Sequence, residues 1–322
     1  MKALRHREQG VALIVVILMI SIIVVIALQM NRASRSEVYD AANLRDRVRL
    51  YYVAKSGFSL GQALLREDQN NFDALNEDWS IADRVAVKAD SLFGTGAVRL
   101  VIEDESGKIP IHKLVIGNNF NMDVRNMLVR LLSQPEFGLD QIRAQEVVEA
   151  IKDWIDTDDN VTGGGAENSY YSSLAKPYGA KNVPLDCIDE LLMIKGISKE
   201  VYDGNDRRAG LKDLVTIYGN GKININTAPK LVLRSLSPNM TLEATERLDN
   251  YRKTNGEDLV SPTWYQKVVP GIVIDARLIT TRSDYFRVSS VGVSGDMRVT
   301  VMGILVRDNN TKKMKFLSWK AE

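Results

Sequence analysis

The spacing of hydrophobic positions divides the chain into segments of different kinds. Val11–Met30 (VALIVVILMISIIVVIALQM) is twenty residues without a charge. At 1.5 Å rise per residue, a helix of that length covers roughly 30 Å, the thickness of a bilayer's hydrocarbon core. From Ser34 to about Arg66 the apolar positions Val38, Ala41, Leu44, Val48, Tyr51, Ala54, Phe58 and Leu65 step mostly by three and four. That spacing predicts an amphipathic helix continuing the apolar one, with its apolar face laid on a sheet. Gly57 and Gly61 lie four apart on this face and suit a close helix–sheet approach.

The pattern then shortens to a period of two. Ala97–Glu103 alternates and predicts a strand, as do Tyr285–Val293, Met297–Val306 and Lys313–Trp319, which are separated by Ser-Gly-Asp and Asp-Asn-Asn turns. Between the first strand and the last three, about 165 residues (Ser106–Pro270) are mostly helical in pattern. Val124–Leu132, Gln141–Trp154, Leu185–Ile194, Lys230–Leu236 and Thr241–Lys253 are the predicted helices. The expected class is α+β: a long N-terminal helix on a small antiparallel sheet, with a large mostly α-helical domain inserted between strands. The divisions are a leader (1–10), a transmembrane helix (11–30), an amphipathic helix with the first part of the sheet domain (31–105), the helical insert (106–270) and the C-terminal strands (271–322).

The leader MKALRHREQG carries Lys2, Arg5 and Arg7 against Glu8. Positive-inside logic keeps this end cytoplasmic and exports the rest. A cleaved secretory signal has a 7–15-residue apolar core and an A-x-A-like site. Here the run is longer, and Ala27-Leu28-Gln29 offers no such site. Hydropathy alone leaves a plain single-pass anchor open.

Composition suits an exported globular protein, with 45% hydrophobic and 26% charged residues, enough for two modest cores. Without residues 1–10 the chain holds 39 Lys/Arg and 40 Asp/Glu, so no nucleic-acid-scale basic excess exists. The sole cysteine, Cys187, excludes an intramolecular disulfide. Packing or a metal must stabilise the fold instead. His6 and His112 are too few for a His-rich zinc site, and no catalytic set accompanies His112, so no enzyme is expected.

One loop carries metal chemistry. Asp156, Asp158 and Asn160 sit at i, i+2 and i+4, and Glu167 falls at the twelfth position. That spacing copies positions 1, 3, 5 and 12 of the EF-hand, whose oxygens suit a hard cation. Val161, however, occupies the sharp-turn position that wants glycine, and Gly163–Gly165 comes two residues late. The loop is therefore not an EF-hand. A calcium loop of another geometry and a solvated acidic turn both fit the residues.

The junction of basic residues, Gly10 and an apolar helix starting at Val11 resembles the leaders of type IV pilins and type II secretion pseudopilins. Prepilin peptidase cuts those leaders after the glycine and leaves the helix on the protein. Counting from Val11, the fifth position is Val15, where most such subunits have Glu. The missing Glu is typical of the K-type minor pseudopilins. Three further stretches are similar to that family: Tyr51–Leu65 (YYVAKSGFSLGQALL), Asp153–Tyr171 (DWIDTDDNVTGGGAENSYY) continued by Pro177–Ser198, and Val215–Leu233 around Asn-Ile-Asn-Thr-Ala-Pro. The resemblance covers essentially the whole chain.

It implies a structural subunit at the tip of a short periplasmic pseudopilus, which helps initiate assembly and protein export across the outer membrane. Its implied partners are the I-type and J-type minor pseudopilins, prepilin peptidase, the inner-membrane secretion platform and exported protein substrates. The implied location is the inner membrane, single-pass, with the globular part in the periplasm. It also implies calcium in the acidic loop, with Asp153 adding to Asp156, Asp158, Asn160 and Glu167. The alternatives are a type IV pilus minor tip subunit and a membrane-anchored binding protein. The Asn-Ile-Asn-Thr-Ala stretch and Leu192–Ile197 also resemble pieces of helix–hairpin–helix DNA-binding domains. Ser106–Pro270 contains 20 Lys/Arg and 22 Asp/Glu, and phosphate binding needs surplus cations. No nucleic acid partner is expected.

Overall fold

The computed structural model describes residues 2–83, 97–205 and 208–322, and their side chains apart from residues 2–10, 208 and 257. One helix, α1 (Lys2–Glu67), takes in the leader, the apolar run and the amphipathic stretch without a break. No proline falls in these 66 residues, so nothing removes a backbone donor from the ladder. Among the described residues α1 is the one helix long and apolar enough to cross a membrane.

The strands β1 (Ala97–Asp104), β2 (Tyr285–Ser294), β3 (Met297–Arg307) and β4 (Met314–Ala321) form a sheet in that order, every neighbour antiparallel. Period-two burial in β1 turns Val98, Leu100 and Ile102 toward α1. There they meet Val53, Ala54, Phe58 and Leu65, with Phe286, Val288, Val301 and Leu305 completing the core. The helix lies very close to the sheet. A Cβ at Gly57 would sit 2.3 Å from Ser290 Oγ and 2.5 Å from Val98 Cγ1, and one at Gly61 would sit 2.9 Å from Val288 Cγ1. The register shifts between Ile304 and Leu305 where β3 meets β4. That irregularity lets Phe316 and Trp319, three residues apart, both reach the Phe58 ring at 5.9 and 4.7 Å.

The amphipathic stretch is covered only in part. Leu50 onward packs on the sheet, but Val38, Leu44 and Val48 stay 66%, 65% and 48% exposed. The reason is length. A 66-residue helix runs to about 99 Å, whereas strands of ten or eleven residues span about 35 Å. The apolar stripe thus extends beyond what this chain's own sheet can cover.

Between β1 and β2 the chain builds the helical insert: α2 (Met122–Leu132), α3 (Gln141–Ile155), α4 (Asn168–Ser172), α5 (Lys199–Asp203), α6 (Lys230–Ser235), α7 (Leu242–Thr254) and α8 (Tyr265–Val268). It has its own core, in which Met127, Leu131, Val148, Ile151, Ile223 and Trp264 are buried. That core takes in Ala74 from the segment after α1 and runs on to Ile274 and Ile279, past residue 270. Two short parallel ladders, Ile109–Pro110 with Val215–Thr216 and Ile223–Asn224 with Ile279–Thr280, hold its distant parts together.

The predicted helix at Leu185–Ile194 is instead a 3-10 helix, Ile188–Met193. Leu185, Leu191 and Ile194 are buried and Ile188 half-buried, while Leu192 and Met193 are exposed. That inward spacing is three, the period of a 3-10 helix and not of an α-helix. Gly196, at φ +83°, then turns the chain.

Candidate metal centre

Helix α3 begins where the Asp140 carboxylate accepts the Arg143 N–H at 2.8 Å. It ends with Asp156 in extended backbone at the C-cap. Asp153 and Asp156, three apart, therefore leave one side of its last turn. The following loop folds back onto them. The Thr162 N–H donates to both Asp153 oxygens at 3.2 and 3.0 Å. Gly163 takes a left-handed φ of +55°, and Gly165 passes so near that a Cβ would lie 2.1 Å from Asp153 Oδ2. Only glycine leaves room for that carboxylate. Glu167 then enters at the N-cap of α4. Behind it the Tyr171 ring meets Trp154 edge-on at 5.1 Å and stacks on Tyr178 at 5.3 Å, which fixes the loop from its apolar side.

Asp153, Asp156 and Glu167 each bring an oxygen to within 4.8 Å of the others. Their exposures are 0%, 0% and 1%. Both Glu167 oxygens and Asp156 Oδ1 have no hydrogen-bond partner. Buried polar atoms left unpaired are costly, and a cation held between these oxygens would satisfy them. Burial first, and then the neighbouring charges of Asp153 and Asp156, push the Glu167 carboxyl up to about 8. Burial also raises Asp153 and Asp156 above the usual carboxylate range.

Asp158 and Asn160 stand outside this group. Asp158 is half-buried and Asn160 exposed, and Asp158 Oδ1 accepts the Asn160 N–H at 2.8 Å. That bond holds the Asp158 carboxyl below its ordinary value. The EF-hand spacing thus serves a local turn at these two positions, while the inward carboxylates come from the helix end and from Glu167. Sequence spacing missed three contributors: Lys152, Thr162 and Gly165. The Lys152 ammonium pairs with Asp156, donates to Thr162 Oγ1 at 2.8 Å and lies 3.8 Å from Asp153 Oδ1. Its i, i+4 relation to Asp156 was the available signal.

The donor set is all oxygen. Cys187 is exposed beside Glu190, and His112 faces the Gly219 carbonyl at 3.2 Å. Carboxylate oxygens alone suit a hard cation such as calcium. A second acidic group, Asp68, Asp73 and Glu77, differs in kind because its charges are already met. Arg307 pairs with Asp68 and Asp73, and Glu77 accepts from Ala74 N, Trp79 Nε1 and Asn70. The processing junction lies far along α1, where Gly10 is part of the helical backbone and Val11 is 62% exposed.

Two family models described as type II secretion system protein K match residues 107–208 and 223–271, which are the insert. Type II secretion system protein K of Aeromonas hydrophila is 26% identical over 98% of this chain and 99% of its own length. The protein of the same description from Klebsiella pneumoniae is 25% identical over 62% of this chain and 61% of its own. The fold is similar to a chain in the crystal structure of the GspK-GspI-GspJ complex from enterotoxigenic Escherichia coli. The TM-score is 0.59 at 19% identity, covering 87% of this chain and 98% of the other.

Proposed function

We propose, from the match to type II secretion system protein K models over residues 107–208 and 223–271 and from the 26% identity to a relative along nearly the whole chain, that this protein is a minor pseudopilin of that system and that it caps the pseudopilus tip. The observation that carries this reading is the insert, a body with its own core placed between β1 and β2 of the sheet domain. A filament subunit repeats by stacking its sheet domain on the next, and an insert of this size would collide with a subunit above. The top has no subunit above.

Val15 supports the same place. The carboxylate typical of this position would face the N-terminal amine of the neighbouring subunit, and a buried charge without its partner is expensive. A terminal subunit lacks that neighbour on one side and is better served by valine.

The partners in this reading are the I-type and J-type minor pseudopilins, the two companions named in the neighbouring structure. They lie along α1, on the exposed stripe formed by Val38, Leu44 and Val48. The leader is removed by prepilin peptidase after Gly10. The helix then anchors the subunit in the inner membrane, its globular part in the periplasm, beside the secretion platform and the exported substrates. The role is structural, not catalytic.

Calcium belongs to this proposal. Asp153, Asp156 and Glu167 would hold it, and it would supply the positive charge that the unpaired buried oxygens call for. Coexpression of the tagged chain with the I-type and J-type subunits tests the assembly reading. A ternary complex that is lost when Leu44 and Val48 are replaced by Asp supports it. Recovery of the tag along the whole length of overexpressed pseudopili, instead of at one end, refutes the tip.

A further inference from the structure

Two lysines meet the acidic loop: Lys195 donates to the Gly164 and Gly165 carbonyls at 2.9 and 3.0 Å, and Lys152 reaches the carboxylates themselves. The Lys152 side chain is 7% exposed, against 0% for the Asp153 and Asp156 side chains beside it. Its ammonium pairs with Asp156, lies 3.8 Å from Asp153 Oδ1 and donates to Thr162 Oγ1 at 2.8 Å. The ammonium also lies over the Phe120 ring, 5.7 Å from its centroid. Glu167 receives nothing from it, and both of its oxygens stay unpaired. With all three carboxylates ionised, as a bound cation would require, the one ammonium paired to them leaves two negative charges in a buried space, the complement of one divalent cation.

We infer that Lys152 is a built-in competitor of the bound cation: it holds the loop closed when no metal is present and lowers the loop's affinity for calcium. The inference rests on the calcium reading above. Two physical effects oppose each other here. A lysine on Asp156 Oδ2 orients that carboxylate, which favours metal binding. Its charge, placed against the ion at short range in a poorly solvated site, disfavours binding. Orientation is largely secured without it. The Thr162 N–H fixes Asp153, and the backbone at the end of α3 and the start of α4 brings in Asp156 and Glu167, so that of the three carboxylates Lys152 orients only Asp156. The charge effect therefore dominates. Affinity in oxygen-donor calcium sites follows the ligand charge count, and Lys152 cancels one of three negative charges.

The test uses the full chain in detergent as wild type, Lys152→Met, which keeps the stem without the charge, and Lys152→Arg, which keeps the charge. Calcium affinity is read by titration calorimetry, and competition with terbium reports on the same site through sensitised emission from Trp154. Lys152→Met is expected to bind calcium at least tenfold more tightly and to melt lower than wild type in chelator, with Lys152→Arg close to wild type. If Lys152→Met does not fold in chelator, it is prepared in calcium and its affinity read by stepwise withdrawal of the ion. Lys152→Gln then provides the same comparison. Equal or weaker calcium binding by the uncharged variants overturns the inference while leaving the calcium site standing. Absence of calcium binding by folded wild type and folded Lys152→Met overturns both.

Discussion

The Thr227 hydroxyl donates to Asp104 Oδ2 at 2.5 Å and so joins the insert to the last residue of β1. Ser283, just before β2, donates to the same oxygen, and the Ser106 N–H donates to Oδ1 at 2.7 Å. Asn224 donates to Ser283 Oγ at 2.7 Å and to the Asp73 carbonyl at 3.0 Å. The Asn-Ile-Asn-Thr-Ala-Pro stretch is thus the clasp between the two bodies of the molecule. Asn226 serves its inner side, donating to the Leu259 carbonyl and accepting from Trp264 Nε1.

This clasp predicts a pH dependence. Among the described residues no cation touches Asp104, and burial raises its carboxyl above the ordinary range. Asp73 is pushed up to about 7, chiefly by burial and against the pull of Arg307. An acid with a raised folded value binds its proton more tightly folded than unfolded. Its contribution to stability is complete below the usual value of 3.8 and is lost as pH rises through about 7. Asp104→Asn keeps the shape and cannot ionise. Its melting temperature should fall less than that of wild type between pH 5 and pH 8, and parallel curves would refute the assignment.

Gly57 should resist enlargement. Alanine normally gains about 1 kcal/mol over glycine inside a helix. Here the new Cβ would meet Ser290 and Val98 at under 3 Å, and overpacking of that kind costs about 1–3 kcal/mol. Gly57→Ala should therefore destabilise by about 1 kcal/mol on balance, measured by denaturant titration. A stabilised variant would show that the sheet can move away.

A calcium site at Asp153, Asp156 and Glu167 would show as a ligand-linked melting shift. The full chain should melt higher with excess calcium than with chelator, because binding only the folded state adds about 2.7 kcal/mol at a hundredfold excess over Kd. Glu167→Gln with Asp156→Asn should abolish the shift, while Asp158→Ala should keep most of it. Magnesium should substitute poorly, since it demands tighter octahedral geometry. Identical melting curves in calcium and chelator would favour a loop held by Lys152 and Lys195 without an ion.

Processing can be read from mass. Cells with prepilin peptidase should yield a chain beginning at Val11, and Gly10→Leu should remain at full length. A wild-type product that retains Met1, or is cut near Met30, would rule out this leader class.

Val15 should accept Leu or Ile with secretion intact, since it contributes apolar burial at roughly 25 cal/mol per Å². Improved secretion by Val15→Glu would contradict a subunit placed at the filament end.

The periodic parts of this protein were legible from sequence because one partner surface dictates each period. Val98, Leu100 and Ile102 alternate because one side of β1 faces α1, and the twenty uncharged residues from Val11 need no tertiary partner to be helical. The helix starts at Asn121, Asp140 and Thr241 are equally local, each a side chain accepting a nearby N–H. Gly57 and Gly61 could be read the same way, since a missing side chain on an apolar face signals close approach.

Spacing along the chain could not decide which carboxylates converge. Asp158 and Asn160 have the right intervals, but their bond to one another spends them on a turn, and Asp153 gains its place because Gly165 lies against it. Burial of Lys152, the partnerless oxygens of Glu167 and the reach of Thr227 to Asp104 across 123 residues all depend on how distant segments fold together. Sequence fixes local geometry because backbone hydrogen bonds and side-chain periods act over a few residues. Charge and solvation are set by everything that excludes water from a point, and only the folded chain specifies that.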